Sequence, residues 1–176
     1  MRKLSMDELN RISKEDFEKA EKTPIILILD NIRSLSNVGA FFRTADAFRI
    51  RELVLCGITA CPPHREIHKT ALGADETVKW RCFETTEEAC RALIDEGYKI
   101  FAVEQVEGSV ALQDFKFEPR TAYILGNEVD GVSEEALPYC EGAVELPQEG
   151  TKHSINVSVC AGIVMWEAFK TLRLGR

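Results

Sequence analysis

PIILILDNIRSLSNVGAFFRTADAFRIRELVLCG, residues 24–57, sets the reading of the whole chain. Residues 25–30, IILILD, are a continuous apolar run bounded by Pro24 and Asn31, the pattern of a short strand buried on both faces. Val38, Phe41, Phe42, Ala45 and Phe48 then recur at helical spacing, and RELVLCG (51–57) is apolar and β-branched again. Strand, helix, strand is the rhythm of a parallel sheet covered by helices.

Working outward, the same rhythm continues. TVKWRCF (77–83) reads as a strand, TTEEACRALIDEG (85–97) as a helix closed by Gly97, and YKIFAVE (98–104), AYILG (122–126) and AVELP (143–147) as further strands. A last helix is predicted from Asn156 to Leu172, with Val157, Cys160, Ala161, Val164 and Ala168 on one face. Upstream, Ser5 and Glu8 have capping-box spacing and open an amphipathic helix to Lys22, which Pro24 ends. The expected organisation is a helical leader at 1–23 and one α/β domain at 24–176, a mainly parallel sheet with helices on both faces. Such sheets bind ligands in the loops at the carboxyl ends of their strands, here after Asp30, Leu125 and Leu146.

The 176 residues, 45% hydrophobic and 29% charged, suit a single globular domain with a proper core. No apolar run approaches the ~20 residues of a membrane span. The start, MRKLSMDELNR, has no apolar stretch of the kind a signal peptide needs, so a cytoplasmic location is expected. The six cysteines show no CxxC spacing and read as reduced thiols. A net charge of −7 argues against nucleic acid as a partner until it is divided by region. Residues 1–30 carry −1, 31–81 carry +3, 82–150 carry −12 and 151–176 carry +3, so two basic stretches flank an acidic middle.

Several familiar chemistries fail on their spacing. The first strand-to-helix turn, DNIRSLSNVG, has one glycine where a dinucleotide site needs GxGxxG. Gly126 and Gly131 are spaced as in a phosphate loop, but Val132-Ser133 stands where Lys-Ser/Thr is required. His64 and His68 would share a helical face below Cys61, yet Arg65 sits where the catalytic zinc pattern has Glu, so no metal is expected. Ser154 lacks the GxSxG surroundings of a hydrolase nucleophile. Asn37, Arg43, Glu128, Ser154 and Asn156 survive this filtering, as polar residues in or beside three loops at one sheet edge. Arg43 falls within the apolar periodicity of its helix, where it either serves a site or pairs with Asp46 or Glu128; Ser154 or Asn156 is also the kind of residue that caps a helix.

At these residues the chain resembles the SpoU (TrmH-like) branch of the SPOUT RNA methyltransferases. NIRSLSNVGAFFRTADAF (31–48), YILGNEVDGVSEEAL (123–137) and VELPQEGTKHSINVSVCAGIVMWEAF (144–169) carry the resemblance, in family order and spacing. It implies transfer of a methyl group from S-adenosylmethionine to a ribose 2′-hydroxyl of tRNA or rRNA. It also implies a C-terminal deep trefoil knot and a homodimer with the catalytic pocket at or near the subunit interface. Asn37 and Arg43 match the first motif, Glu128 the second, and Ser154 and Asn156 the third. The family's cofactor loops map to Val103, Glu104, Leu125, Gly126, Asn127, Gly131, Leu146, Pro147 and Ile155. Two departures stand out, Leu146-Pro147-Gln148 for the common IPM and Ser154-Ile155-Asn156 for SLN, and Gln148 is expected to alter the adenosine pocket.

On this reading Arg43 is expected to fix the neighbouring phosphate and stabilise the forming alkoxide, since a guanidinium that keeps its proton is a poor base. Asn37 and Asn156 would orient Arg43 or the ribose, Glu128 would position that arginine or its loop, and Ser154 would position substrate. Arg33, Arg49, Arg51, His64, Arg65, His68, Lys69 and Lys79 make the leading RNA-contact surface, joined by Lys152, Lys170 and Arg173. Structured RNA, tRNA ahead of rRNA, is the expected partner, with no membrane involved. The other readings left open are a catalytically silent RNA-binding or assembly factor with the same fold and a base-specific RNA methyltransferase.

Overall fold

The computed structural model describes residues 1–5, 7–9, 12–152 and 154–175. Its strands are β1 (Thr23–Asp30), β2 (Ile50–Cys56), β3 (Trp80–Phe83), β4 (Lys99–Val103), β5 (Val110–Ala111), β6 (Thr121–Leu125) and β7 (Gly142–Glu145). They form one sheet in the order β3-β2-β1-β6-β4-β7-β5, and every pairing in it is parallel. Helices α1 (Lys14–Lys19), α2 (Leu35–Ala47), α3 (Arg65–Ala71), α4 (Thr86–Asp95) and α5 (Val157–Arg173) complete the fold.

The apolar run of β1 has a simple cause. Ile25, Leu27 and Leu29 enter a core built with Val38, Phe41 and Phe42 of α2 and Ala161, Val164 and Met165 of α5. Ile26 and Ile28 point the other way, into a core with Ala89, Cys90 and Leu93 of α4. A strand with no solvent face has no polar positions to alternate, and each such side chain contributes about 1.5–3 kcal/mol by burial. The α/β architecture with helices on both faces is therefore as the sequence predicts.

Four local expectations are corrected. Ser5 and Glu8 do make the capping-box bonds, Ser5 N–H to the Glu8 carboxylate at 2.7 Å and Glu8 N–H to Ser5 Oγ at 3.4 Å. They cap one 3₁₀ turn, Asp7–Leu9, rather than a helix to Lys22. A separate short helix starts at Ser13, whose hydroxyl accepts from the Asp16 N–H, because serine competes better as a cap than as a helix interior residue. Thr23 belongs to β1, not to the leader, and Phe17 anchors α1 in the main core. The strand expected from 77 begins only at Trp80, because the 3₁₀ turn Ala74–Glu76 carries the chain on through the Val78 N–H bond to Ala74 O at 2.9 Å. Finally, Cys61 and Cys82 are disulfide-bonded, contrary to the expectation of six reduced thiols, while Cys56, Cys90, Cys140 and Cys160 are free. Pairing of β3 with β2 brings Cys82 beside the segment that leads into α3, a proximity that spacing along the chain does not reveal. Among the described residues no helix is long and apolar enough to cross a membrane.

Candidate active site

The loops that follow β1, β6, β4 and β7 all leave the sheet at its carboxyl edge, and three of them enclose a cavity of about 490 Å³. Val103, Glu104, Leu125, Gly126, Asn127, Gly131, Leu146 and Ile155 line it, eight of the nine positions to which the resemblance assigns the cofactor loops. Pro147 does not; it is exposed beside the cavity, while its neighbour Gln148 lines it. Glu128, Ser154 and Asn156 contribute to the same wall. Gln105, Val129, Asp130, Val144, Glu145, Val157 and Cys160 complete the lining and had no separate signal in the sequence beyond lying next to motif positions.

The loop after β6 is folded tightly on itself. Asn127 and Gly131 exchange backbone hydrogen bonds of 3.0 and 3.2 Å, and Asn127 Oδ1 accepts from the N–H groups of Val129 and Asp130, both at 2.8 Å. Gly131 has φ +72°, and a Cβ there would lie 2.3 Å from Glu104 Oε2. A Cβ on Gly126 would lie 2.0 Å from the Gly131 carbonyl carbon. Both positions thus require glycine, for backbone conformation and close approach. From β4, Glu104 accepts the Val132 N–H at 3.1 Å and the Gln105 N–H at 2.8 Å, so its carboxylate holds the loop as well as lining the cavity.

At the cavity rim three distant motifs meet in one hydrogen-bonded chain. Asn37 Nδ2 donates to Glu128 Oε1 at 2.8 Å, and Asn156 Nδ2 donates to Asn37 Oδ1 at 3.1 Å. The Glu128 carboxylate also accepts the backbone N–H groups of Arg33 and Ser34 at 3.2 and 3.3 Å, where α2 begins. An anion at a helix N-terminus is favoured both by unsatisfied amides and by the helix dipole. Burial pushes the Glu128 carboxyl up, but the bonds from Asn37 and from the backbone of Glu128, Arg33 and Ser34 outweigh it and hold the group below its ordinary value. Asn156 also caps α5, its Oδ1 accepting from Ser158 and Val159 N–H, so capping and site-building fall on one residue. Ser158, whose hydroxyl reaches Asn156 Oδ1 at 2.6 Å and Asn37 Oδ1 at 3.4 Å, was missed; its place two residues after Asn156 in the third motif was the available signal.

Arg43 is not part of this chain. It is exposed on α2, with no hydrogen bond or ion pair among the described residues. The acids expected to pair with it bond elsewhere: Asp46 accepts from Thr77 Oγ1 at 2.9 Å, and Glu128 accepts at the start of α2. Six residues beyond Asn37, Arg43 lies about 9 Å further along the helix axis, at 1.5 Å per residue. Asn37, Asn156 and Glu128 therefore hold the loops to one another rather than to Arg43.

The basic residues of the +3 stretch divide into two groups. Arg33 faces Asp130 at 3.7 Å, Lys79 faces Glu52 at 3.7 Å, and His68 Nδ1 lies 3.1 Å from Asp75. Arg51, Arg65 and Lys69 are exposed and Arg49 is partly exposed, and none of these side chains forms an ion pair among the described residues. Lys152 is likewise exposed and unpaired among the described residues, whereas Lys170 pairs with Glu167 and Arg173 with Glu21. His64 caps α3 through Nδ1, accepting the Glu66 N–H at 3.2 Å, so it does not join His68 in a ligand pair. No group of three or more His, Cys, Asp or Glu side chains suited to a metal occurs among the described residues.

Comparison with known proteins agrees with this geometry. The chain is 32% identical over 159 residues to the 23S rRNA (guanosine-2′-O-)-methyltransferase RlmB of Neisseria meningitidis, a match covering 90% of this chain and 63% of that protein. It is 30% identical over 154 residues to the tRNA (guanosine(18)-2′-O)-methyltransferase of Thermus thermophilus, covering 88% of this chain and 78% of that one. The crystal structure of the A. aeolicus TrmH/SpoU tRNA modifying enzyme superposes with a TM-score of 0.78 at 25% identity, over 89% of this chain and 79% of that one. The model of the SpoU rRNA Methylase family matches residues 24–166, which takes in all three strand-end loops and most of α5. With its motif residues meeting at one junction of a parallel sheet, the chain belongs to the SpoU rRNA Methylase family.

Proposed function

We propose that the protein is an S-adenosylmethionine-dependent RNA methyltransferase acting on a ribose 2′-hydroxyl, and that the chain from β1 onward is its catalytic domain, with α1 docked on it through Phe17. The observation that carries this is the cavity enclosed by the loops after β4, β6 and β7, with the Glu128–Asn37–Asn156 chain on its rim. The cavity fits the cofactor in chemistry as well as size. Gly126 and Gly131 let backbone rather than side chains face an adenosine, Leu125, Leu146 and Ile155 supply apolar wall, and acidic Glu104 and Asp130 suit a cationic sulfonium and an ammonium group. Bound there, S-adenosylmethionine supplies an already electrophilic methyl group. The protein's share is to hold the ribose oxygen in line and to stabilise its developing charge. Arg43 is the donor assigned to that charge and to the adjacent phosphate, Ser154 to substrate positioning. The family resemblance implies that the C-terminal segment is threaded through a loop to make a deep trefoil knot.

Arg43 is exposed and outside the cavity lining, which favours a site completed by a second copy of the chain. Ile155, Val159, Ile163 and Trp166 form an exposed apolar stripe on and just before α5, Val159 at 55% and Trp166 at 44% exposure. Thr44 of α2, next to Arg43, borders that stripe at Gly162. A homodimer through this face would bury the stripe and bring Arg43 into the interface. Light scattering tests this: the wild type is expected at twice the monomer mass and Ile163→Glu at the monomer mass, and a monomeric wild type overturns it.

Unpaired Arg51, Arg65, Lys69 and Lys152 are the proposed phosphate contacts, and the cytoplasm is the proposed location. Structured RNA is the proposed substrate, tRNA ahead of rRNA. The decisive experiment incubates the protein with methyl-labelled S-adenosylmethionine and separate tRNA and rRNA pools lacking the modification, then maps the labelled nucleotide. Label on a 2′-oxygen is expected; label on a base, or on no RNA, overturns the reading.

A further inference from the structure

Asp30, the last residue of β1, is 1% exposed and makes no ion pair among the described residues. Three neutral donors satisfy its carboxylate. Thr86 Oγ1 donates to Oδ1 at 2.6 Å and Asn31 Nδ2 to the same oxygen at 2.8 Å, while the Ser133 backbone N–H donates to Oδ2 at 2.7 Å. Cys56 and Cys90, close by, are thiols pushed up to about 12 by burial, so they stay neutral beside it. An acid retained in such a place, without a counter-ion, costs stability that an apolar residue would not.

What the carboxylate gains is a hold on the loop after β6. Ser133 and Val132 are consecutive, and their N–H groups are taken by acids from two places at the sheet's carboxyl edge, Asp30 at the end of β1 and Glu104 just after β4. The loop between β6 and these two amides contains Gly126, Asn127 and Gly131 of the cavity wall. Asp30 itself does not line the cavity, and Thr86, the first residue of α4, braces it from within the core that α4 shares with Val132 and Ala136.

We propose that Asp30 is a positioning residue for the cofactor cavity: through the Ser133 amide it sets where the wall formed by the loop after β6 stands. The inference rests on the reading of that cavity as the S-adenosylmethionine site. The test compares full-length wild type with Asp30→Asn and Thr86→Val, using calorimetry with S-adenosylmethionine and amide hydrogen exchange. Losing a charge-assisted bond predicts about tenfold weaker cofactor binding for Asp30→Asn, and loss of the brace alone about threefold for Thr86→Val. In the labelling assay the KM for S-adenosylmethionine is expected to rise with kcat at saturation unchanged. Exchange is expected to accelerate at 132–133 in both variants while β1 and α5 stay protected. Unchanged cofactor affinity in folded Asp30→Asn, or in Thr86→Val should the former not fold, overturns the proposal. Should the wild type bind no cofactor, the functional reading fails; exchange at 132–133 then decides the clamp separately, and unchanged protection there overturns it.

Discussion

At the start of α2, Asn37 has both ends of its amide engaged, by Glu128 and by Asn156, whereas six residues along the same helix Arg43 is exposed and unpaired among the described residues. The first arrangement costs nothing further when a ligand arrives, since its hydrogen bonds are already made. The second keeps a full guanidinium available for an anion that this chain does not itself provide. On the proposed mechanism the difference separates scaffold from reagent within a single thirteen-residue helix. Preorganised loops and an uncommitted charge are the two components that electrostatic stabilisation of a transition state requires.

Removing the uncommitted charge is the largest expected effect. Arg43→Ala is expected to lower methyl transfer by about 100-fold or more, with cofactor affinity and Tm unchanged, measured by label incorporation, calorimetry and melting. A variant that methylates at the normal rate would reduce Arg43 to an ordinary surface residue. Asn37→Ala reverses the pattern, because it strips donor and acceptor from a junction that is nearly buried. About 2 kcal/mol of stability is expected to go with it, a Tm fall of about 4–8 °C for a chain of this size.

Glu128 sharpens the contrast through pH. Its carboxyl lies below the ordinary value of 4.5 in the folded chain, so its contribution to stability is complete above that value and lost as pH falls through the lower folded one. Melting curves from pH 7 to pH 3 are expected to show the wild-type advantage over Glu128→Gln holding constant and then shrinking in the acid range. A difference that is flat with pH would mean the carboxylate charge is immaterial there. The smallest effect belongs to a single cation of the proposed RNA face. Lys69→Ala is expected to weaken RNA binding a few-fold and to lower the salt slope of log K by about one; no change in slope would remove α3 from that face.

Much of the candidate site was legible before the fold was known, and for identifiable reasons. Gly126 and Gly131 mark a place where backbone must approach backbone, which only glycine allows, so the requirement is written in residue type. Asn156 could be read either as a helix cap or as a site residue; it caps α5 and, through its amide nitrogen, also bonds Asn37 beside the cavity. Arg43 was misjudged in its surroundings, because helical periodicity counts residues per turn and cannot say that α2 has an exposed edge at that angle. Asp30 passed unnoticed, since an aspartate ending a strand looks like an ordinary boundary residue until the loop after β6 folds back onto it.

The amino-acid order alone was enough for the alternation of strands and helices and for the double-sided burial of β1, because those follow from local patterns of apolar residues. It also pointed to the loops after Leu125 and Leu146, which line the cavity, because parallel topology puts binding loops at the carboxyl ends of strands; the loop after Asp30 does not line it, and the loop after β4 does. Which side chains meet was decided only by the tertiary structure. Asn37 bonds to Glu128 across 91 positions and to Asn156 across 119, and Cys61 finds Cys82 across an edge of the sheet. Hydrogen bonds and disulfides act over about 3 Å or less, and only the order of strands in the sheet brings such distant residues within that reach.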